Sequence, residues 1–414
     1  MAVLRRLALA AVLDLPRALV REGLRAVRAA EAGEVHVLGL GALDQVGSPG
    51  MQESLGRGAL AGALSVQLFH GRAIRVVGLR DFDREGLLPG TPGLEGFVPE
   101  DPRMKTLVKK AVLLQRVVER LPPDDFVLYM DATDAFLQRP ASELPGRYLA
   151  LLAARRRAGD VAAEEGQEPV VMNGVAYCWP FQDWSESPSV PTSADLHRPD
   201  HRYAVRGGLL GRELCASYNA SFRALDGPSP FPESGLWFGR VRGALRMLKA
   251  IVAAFAAEGE DQDQAALILA RLAEPGLFVV DGHAELFWAA EARLQNPCGL
   301  FGLHANAFES EELRGYSKAA RDFLRAVQPP GLCAEGYFRQ ASGWLPPPLR
   351  GRRAAPAAVH VPGCVKRAVM QRCFDALAAV GVARGMLGSP DRAPTVRAHD
   401  EDRQRTLTFR VELP

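Results

Sequence analysis

The sequence predicts an α/β protein built on a doubly wound sheet flanked by helices. Three observations carry that expectation. Short apolar runs alternate with amphipathic stretches of helical period along most of the chain. The early elements follow the order strand, helix, strand, helix, strand, which favours parallel pairing. The run Phe126-Val127-Leu128-Tyr129-Met130 has the unbroken apolar character of a strand buried on both faces.

Taken in order, Glu34 to Gly41 reads as the first strand, ending in glycines. Residues 51–70 read as a helix and Ala73 to Leu79 as the second strand. A Pro/Gly-rich loop covers 85–103. Lys105 to Leu121 is amphipathic, with apolar positions at Leu107, Val108, Ala111, Leu114, Val117 and Val118. The 126–130 strand follows, then a helix over 141–157 and a short strand Pro169 to Met172. After a proline-bearing loop to about 200, the small-residue turn Ser234-Gly235 leads towards a helix at 241–257. A further helix begins at the acidic run Glu258 to Gln264. Leu277 to Asp281 and Pro356 to His360 are the last strands. Residues 296–355 are the least regular and read as an insertion, and the polar tail 384–414 reads as poorly ordered.

Composition narrows the function classes. The 414 residues are 48% hydrophobic and 24% charged, enough for a sizeable core in one large domain. A net charge of +2, with no basic block interleaved with aromatics, gives no case for nucleic acid. No apolar stretch approaches the roughly 20 residues of a membrane span. Six cysteines lack C-x-x-C spacing, which argues against zinc and permits disulfides in an oxidising compartment. Cys178-Trp179 reads as core packing with a disulfide available to Cys178. Asn219-Ala220-Ser221 is a glycosylation sequon, a triplet common by chance. Residues 1–32 carry Arg5 and Arg6 before a short apolar run, then arginines at helical spacing. A signal peptide, a transit peptide and an amphipathic helix all fit that pattern.

The chemistry concentrates where the buried strand meets Asp131-Ala132-Thr133-Asp134. Two carboxylates at a sheet edge are costly unless paired or metal-bound. A hard divalent cation facing a phosphate-bearing substrate would resolve that cost. The bland reading is that such acids cap a turn or the next helix. A phosphatase of the haloacid dehalogenase type is rejected, because its acids stand two apart and these stand three apart.

Other motifs follow in order: Ser234-Gly235…Gly239, Asp263-Gln264, Asp281, and His360…Gly363…Lys366. This ordered set resembles the glycosyltransferase domain of procollagen lysyl hydroxylases and its stand-alone relatives, over roughly residues 33–370. The resemblance implies a GT-A-like mixed sheet in a single catalytic domain, 33–383. It implies a UDP-sugar donor and a hydroxyl acceptor on a glycoprotein, a glycan or a small molecule. It implies Asp131, Asp134 and His360 as ligands of Mn²⁺, with Mg²⁺ as the alternative; a mixed O/N set suits Mn²⁺ better. Lys105, Gly235, Gly363 and Lys366 would meet the donor. Asp261, Asp263 and Gln264 would form the catalytic start of a helix, with Asp263 towards the acceptor. The secretory pathway, ER or Golgi lumen, is the implied compartment, with an organelle or the cytoplasm as alternatives.

The chain departs from the family pattern at several points. Asn173-Gly174-Val175-Ala176 has no acid where the family often has Glu. Pro232-Glu233 replaces a small or amide residue, and Gln262 interrupts the acidic cluster. The strand after Asp281 lacks the family's Cys and Gln. These departures motivate a relative that binds nucleotide or a partner without turnover. A nucleotidyltransferase is disfavoured because residues 39–50 contain no Lys or Arg. His304 competes with His360 as the ligand histidine. Lys109 and Lys110 read as a solvated helix face, and Trp237 and Phe238 as core.

Overall fold

A computed structural model describes residues 33–40, 49–77, 105–164, 167–175, 178, 211–258, 263–290, 332–333, 337–339, 355–361, 366–386, 395–401 and 404–410. The architecture is mixed α/β: a large mixed sheet with helices on both faces. The sequence-predicted strands become β1 (Val35–Leu40), β2 (Ile74–Val77), β3 (Phe126–Asp131), β5 (Val170–Val175) and β7 (Phe278–Asp281). Helices α1 (Pro49–His70), α2 (Lys105–Val118), α3 (Leu144–Arg157), α5 (Val241–Glu258) and α6 (Asp263–Ala273) lie between them.

β1 pairs in parallel with both β2 and β3, as the alternation of strands and helices predicts. Beyond β3 the sheet reverses. β6 (Phe231–Arg240) runs antiparallel to β3 and β5, and β5 is parallel to β7. The expected turn at Ser234-Gly235 is therefore corrected: both residues lie within β6. The turn-like signal has a physical basis, because the β5–β6 register jumps there. Met172 faces Trp237, whereas the next residue, Asn173, faces Glu233. The extra β6 residues bulge out of the ladder, where small residues are favoured.

β3 shows why the apolar run was diagnostic. All five residues Phe126 to Met130 are fully buried. Phe126, Leu128 and Met130 enter one core, with Leu64 and Leu68 of α1 and Tyr148 of α3. Val127 and Tyr129 enter the other, with Leu114 of α2, Met247 of α5 and Leu267 of α6. Each large apolar side chain so buried contributes roughly 1.5–3 kcal/mol. The period of two then places the next residue, Asp131, on the same face as Tyr129.

Several elements went unpredicted. Helix α4 (Gly211–Asp226) follows the proline-bearing segment and buries Leu214, Tyr218 and Phe222 at four-residue spacing. Helix α7 (Lys366–Ala383) packs against α1. Short strands β4 (Ala135–Leu137) and β8 (Phe287–Ala289), also unpredicted, join β9 (Ala358–His360) in a separate three-stranded sheet. The last predicted strand thus belongs to this small sheet and not to the large one.

The poorly ordered tail is also corrected. β10 (Thr395–Asp400) and β11 (Arg405–Arg410) form a hairpin that extends the large sheet beside β2. The tail reads as polar because its inward positions alternate with polar ones and because buried charge secures it. Arg75 Nε lies 2.5 Å from Glu401 Oε1, and the Glu401 amide donates to Val76 O at 2.9 Å.

Among the described residues two disulfides are formed, Cys178–Cys215 and Cys333–Cys373. The first matches the bond expected of Cys178. Among the described residues no helix is long and apolar enough to cross a membrane.

Candidate metal centre

Three elements deliver three ligand-bearing side chains to one point. Asp131 ends β3, and Asp134 follows in a turn closed by the Asp134 amide donating to Asp131 O at 3.2 Å. His360 ends β9, which pairs with β4 so that Ala135 faces His360. The Val361 amide donates to Asp134 O at 2.8 Å, tying the His360 strand directly to the D-x-x-D turn. One ligand atom from each of Asp131, Asp134 and His360 lies within 4.8 Å of the others. The small sheet therefore explains how residues 226 positions apart in sequence, 134 and 360, converge.

Gly235 on β6 leaves room for the cluster. A Cβ there would stand 2.5 Å from His360 Nε2 and 2.9 Å from Asp131 Oδ2. His360 is buried, and neither ring nitrogen completes a regularly aligned hydrogen bond. Its Nε2 lies 3.6 Å from Asp134 Oδ1, and its Nδ1 lies 2.7 Å from Glu233 Oε2. Burial alone would lower the pKa of this imidazole. The carboxylates of Glu233 and Asp134 outweigh burial and push it up to about 10. The donor set, the space beside Gly235 and the buried ring nitrogens fit a divalent cation that would replace the proton.

Lys110 corrects the sequence reading. It is not on a solvated face: it is buried on α2, 3.2 Å from Asp131 Oδ1 and 3.1 Å from Asp263 Oδ2. Its ammonium also donates to Ser234 Oγ at 3.3 Å and lies over the Tyr129 ring. Burial would lower this ammonium's pKa, but the neighbouring Asp131, then Tyr129, Asp263 and Glu233, raise it well above the ordinary lysine range. A signal was present in the sequence. Lys110 stands three residues after Leu107, four before Leu114 and seven before Val117, on the apolar stripe of its helix.

Asp263 opens α6 and receives a hydrogen bond from Ser234 Oγ at 2.6 Å. Gln264, beside it, donates to Pro232 O at 3.2 Å and fastens the helix start to β6. Tyr129 donates to Asp131, and burial keeps its phenol protonated. The structure thus joins Asp131, Asp134, His360, Gly235, Asp263 and Gln264 in one neighbourhood, and adds Lys110, Ser234 and Glu233. Glu233 stands out in the sequence only as a departure from a resemblance; its contact with His360 has no sequence signal.

Not every predicted residue enters the site. Asp281 serves its own loop: it is buried and accepts hydrogen bonds from the amides of Glu285, Leu286 and Phe287 at 2.6–2.8 Å. Lys105 and Lys366 open α2 and α7, with side chains outside the described residues. Asp261, Gly363 and His304 also lie outside the described residues.

No family model matches the chain, and no curated protein matches it.

Proposed function

We propose that this chain is a metal-dependent glycosyltransferase of GT-A-like architecture, moving a hexose from a UDP-sugar to a hydroxyl acceptor. The observation that carries the reading is the convergence of Asp131, Asp134 and His360 at the carboxyl end of a central strand. Ligands of doubly wound sheets bind beyond such strand ends. Four carboxylates, those of Asp131, Asp134, Glu233 and Asp263, share the neighbourhood with one lysine. That excess of negative charge favours a divalent cation and a diphosphate bound through it.

Asp131, Asp134 and His360 would hold Mn²⁺. When bound, the ion would supply Lewis-acid stabilisation of the departing diphosphate. The chain's own residues would do the rest. Gly235 would let the donor approach the β6 backbone. Lys110 would balance Asp131 and fix Asp263. Asp263, held by Ser234 and Lys110, would be the carboxylate that meets the acceptor hydroxyl. Lys105, Gly363 and Lys366 remain part of the proposal for the donor by resemblance. A glycoprotein or glycan acceptor in the secretory pathway agrees with the two disulfides, which form readily in an oxidising compartment.

A second reading, nucleotide binding without turnover, is favoured by one observation. Lys110 already engages both Asp131 and Asp263, which limits their freedom to act on substrate. One experiment separates the two: UDP release from a panel of UDP-sugars with Mn²⁺, for wild type and for Asp131→Ala/Asp134→Ala. Metal-dependent release abolished in the double variant supports the transferase. UDP binding without release supports the second reading, and absence of any UDP binding overturns both.

A further inference from the structure

Glu233 is the least expected side chain near the centre. It is a buried carboxylate on β6, and its nearest arginine or lysine is not in hydrogen-bonding contact among the described residues. A buried carboxylate is costly without compensation. Two partners compensate it here. Both of its oxygens accept from the Gly235 amide at 3.1 Å, and Oε2 lies 2.7 Å from His360 Nδ1.

The β6 bulge makes this arrangement available. Where the β5–β6 register jumps between Trp237 and Glu233, the Gly235 amide turns to the Glu233 side chain. That amide anchors the carboxylate from one side while His360 meets it from the other. The imidazole is thereby oriented: Nδ1 faces Glu233, and Nε2 faces Asp134 and the space beside Gly235. An imidazole that donates one N–H to a carboxylate presents its other nitrogen as a fixed, more electron-rich donor, and the 2.7 Å approach of Nδ1 to Glu233 puts that bond within a small ring rotation.

We infer that Glu233 is a positioning residue for the metal ligand His360, holding the ring so that Nε2 joins Asp131 and Asp134 on a divalent cation. The inference rests on the reading of those three residues as a metal centre. Glu233 would not itself touch metal or substrate. It would set how tightly the centre holds its ion and which histidine nitrogen binds.

The test measures Mn²⁺ binding to the full chain without any sugar donor. Titration calorimetry gives affinity, and electron spin-echo spectroscopy of bound Mn²⁺ reads the coupling to the histidine nitrogen. Glu233→Ala should weaken binding about 10–100-fold and diminish the nitrogen coupling. Glu233→Gln, whose amide oxygen can still accept from Nδ1–H, should recover most of both. A purely structural role would lower the melting temperature and leave the nitrogen coupling of the bound ion unchanged. Should Glu233→Ala not fold, Glu233→Leu, nearer in volume, replaces it. Wild-type affinity and coupling in the alanine or leucine variant would overturn the role of Glu233 while leaving the metal centre standing. Absence of Mn²⁺ binding in wild type would overturn the metal centre and this inference together.

Discussion

Lys110 Nζ stands 3.1 Å from Asp263 Oδ2 and 3.2 Å from Asp131 Oδ1, so one buried ammonium bridges the end of β3 and the start of α6. Removing it leaves Asp131 with the Tyr129 hydroxyl, and Asp263 with the Ser234 hydroxyl and the Gln264 amide, but without the ammonium that balances their charge. Lys110→Met should destabilise the metal-free protein by about 2 kcal/mol, below the value for a fully buried pair because Asp131 is partly exposed. Mn²⁺ should restore more stability to the variant than to wild type, since the ion supplies the missing positive charge. Urea unfolding with and without Mn²⁺ checks this. Equal stabilisation of both proteins would break the link between Lys110 and the centre.

Gly235 is required for space and not for backbone conformation, since it is absent from the glycines of positive φ. Its missing Cβ would lie 2.5 Å from His360 Nε2 and 2.9 Å from Asp131 Oδ2. Both are ends of side chains that can swing away, so Gly235→Ala should fold. The displaced ligands should then bind Mn²⁺ at least about 10-fold more weakly, in the range expected when the support of a metal ligand is disturbed. Circular dichroism and calorimetry on the same sample decide the matter; a folded variant with unaltered affinity would contradict the cradle.

Asp281 gives a pH signature that is independent of the centre. Burial pushes its carboxyl from 3.8 up to about 6, against three amide donors that pull it down. Between about pH 4 and 6 the folded chain keeps a proton there that the unfolded chain has released. Stability attributable to this group is therefore full below pH 4 and falls as pH rises to 6, by about 3 kcal/mol in total. Asp281→Asn should flatten that part of the stability profile. Parallel slopes for the two proteins over pH 4–7 would show that Asp281 does not titrate there.

How much of this was legible in the sequence depended on the length and regularity of each signal. β3 was plain because five consecutive buried residues leave no other reading, and the helix before it showed its stripe over several turns. Helix α4 was equally readable, since Leu214, Tyr218 and Phe222 recur every fourth residue, but the prolines before it drew attention to loop. β4 and β8 were beyond reach, since three residues carry almost no period, and β9 was legible as a strand but not as part of a small sheet whose pairing depends on partners far along the chain. The tail hairpin misled because its buried Asp400 and Glu401 look like solvated acids. For the site, Asp131 and Asp134 were marked by their strand. The partnership of Glu233 with His360 depends on a register jump that Ser234-Gly235 signals only as a turn, without its cross-strand partners.

The Cys178–Cys215 disulfide backs the two elements that carry Glu233 and Asp263. Cys178 packs with Leu214, Tyr218 and Phe222 of α4, Phe231 at the start of β6, and Ala265 and Ile268 of α6. Phe231 lies two residues before Glu233, and Ala265 two after Asp263, so this satellite core backs the two elements that carry those carboxylates. The bond closes a loop across 37 residues, and chain-entropy arguments assign such a crosslink about 4 kcal/mol. Cys178→Ser/Cys215→Ser should lower stability by that order. Because the loss falls on β6 and α6 together, Mn²⁺ affinity and any UDP-sugar turnover should decline in the same variant well below its unfolding temperature. Cys333→Ser/Cys373→Ser removes a bond spanning 40 residues that joins α7 elsewhere in the fold. It should cost comparable stability with a smaller effect on Mn²⁺ affinity. Equal effects of the two double variants on metal binding would show that the satellite core has no special hold on the site.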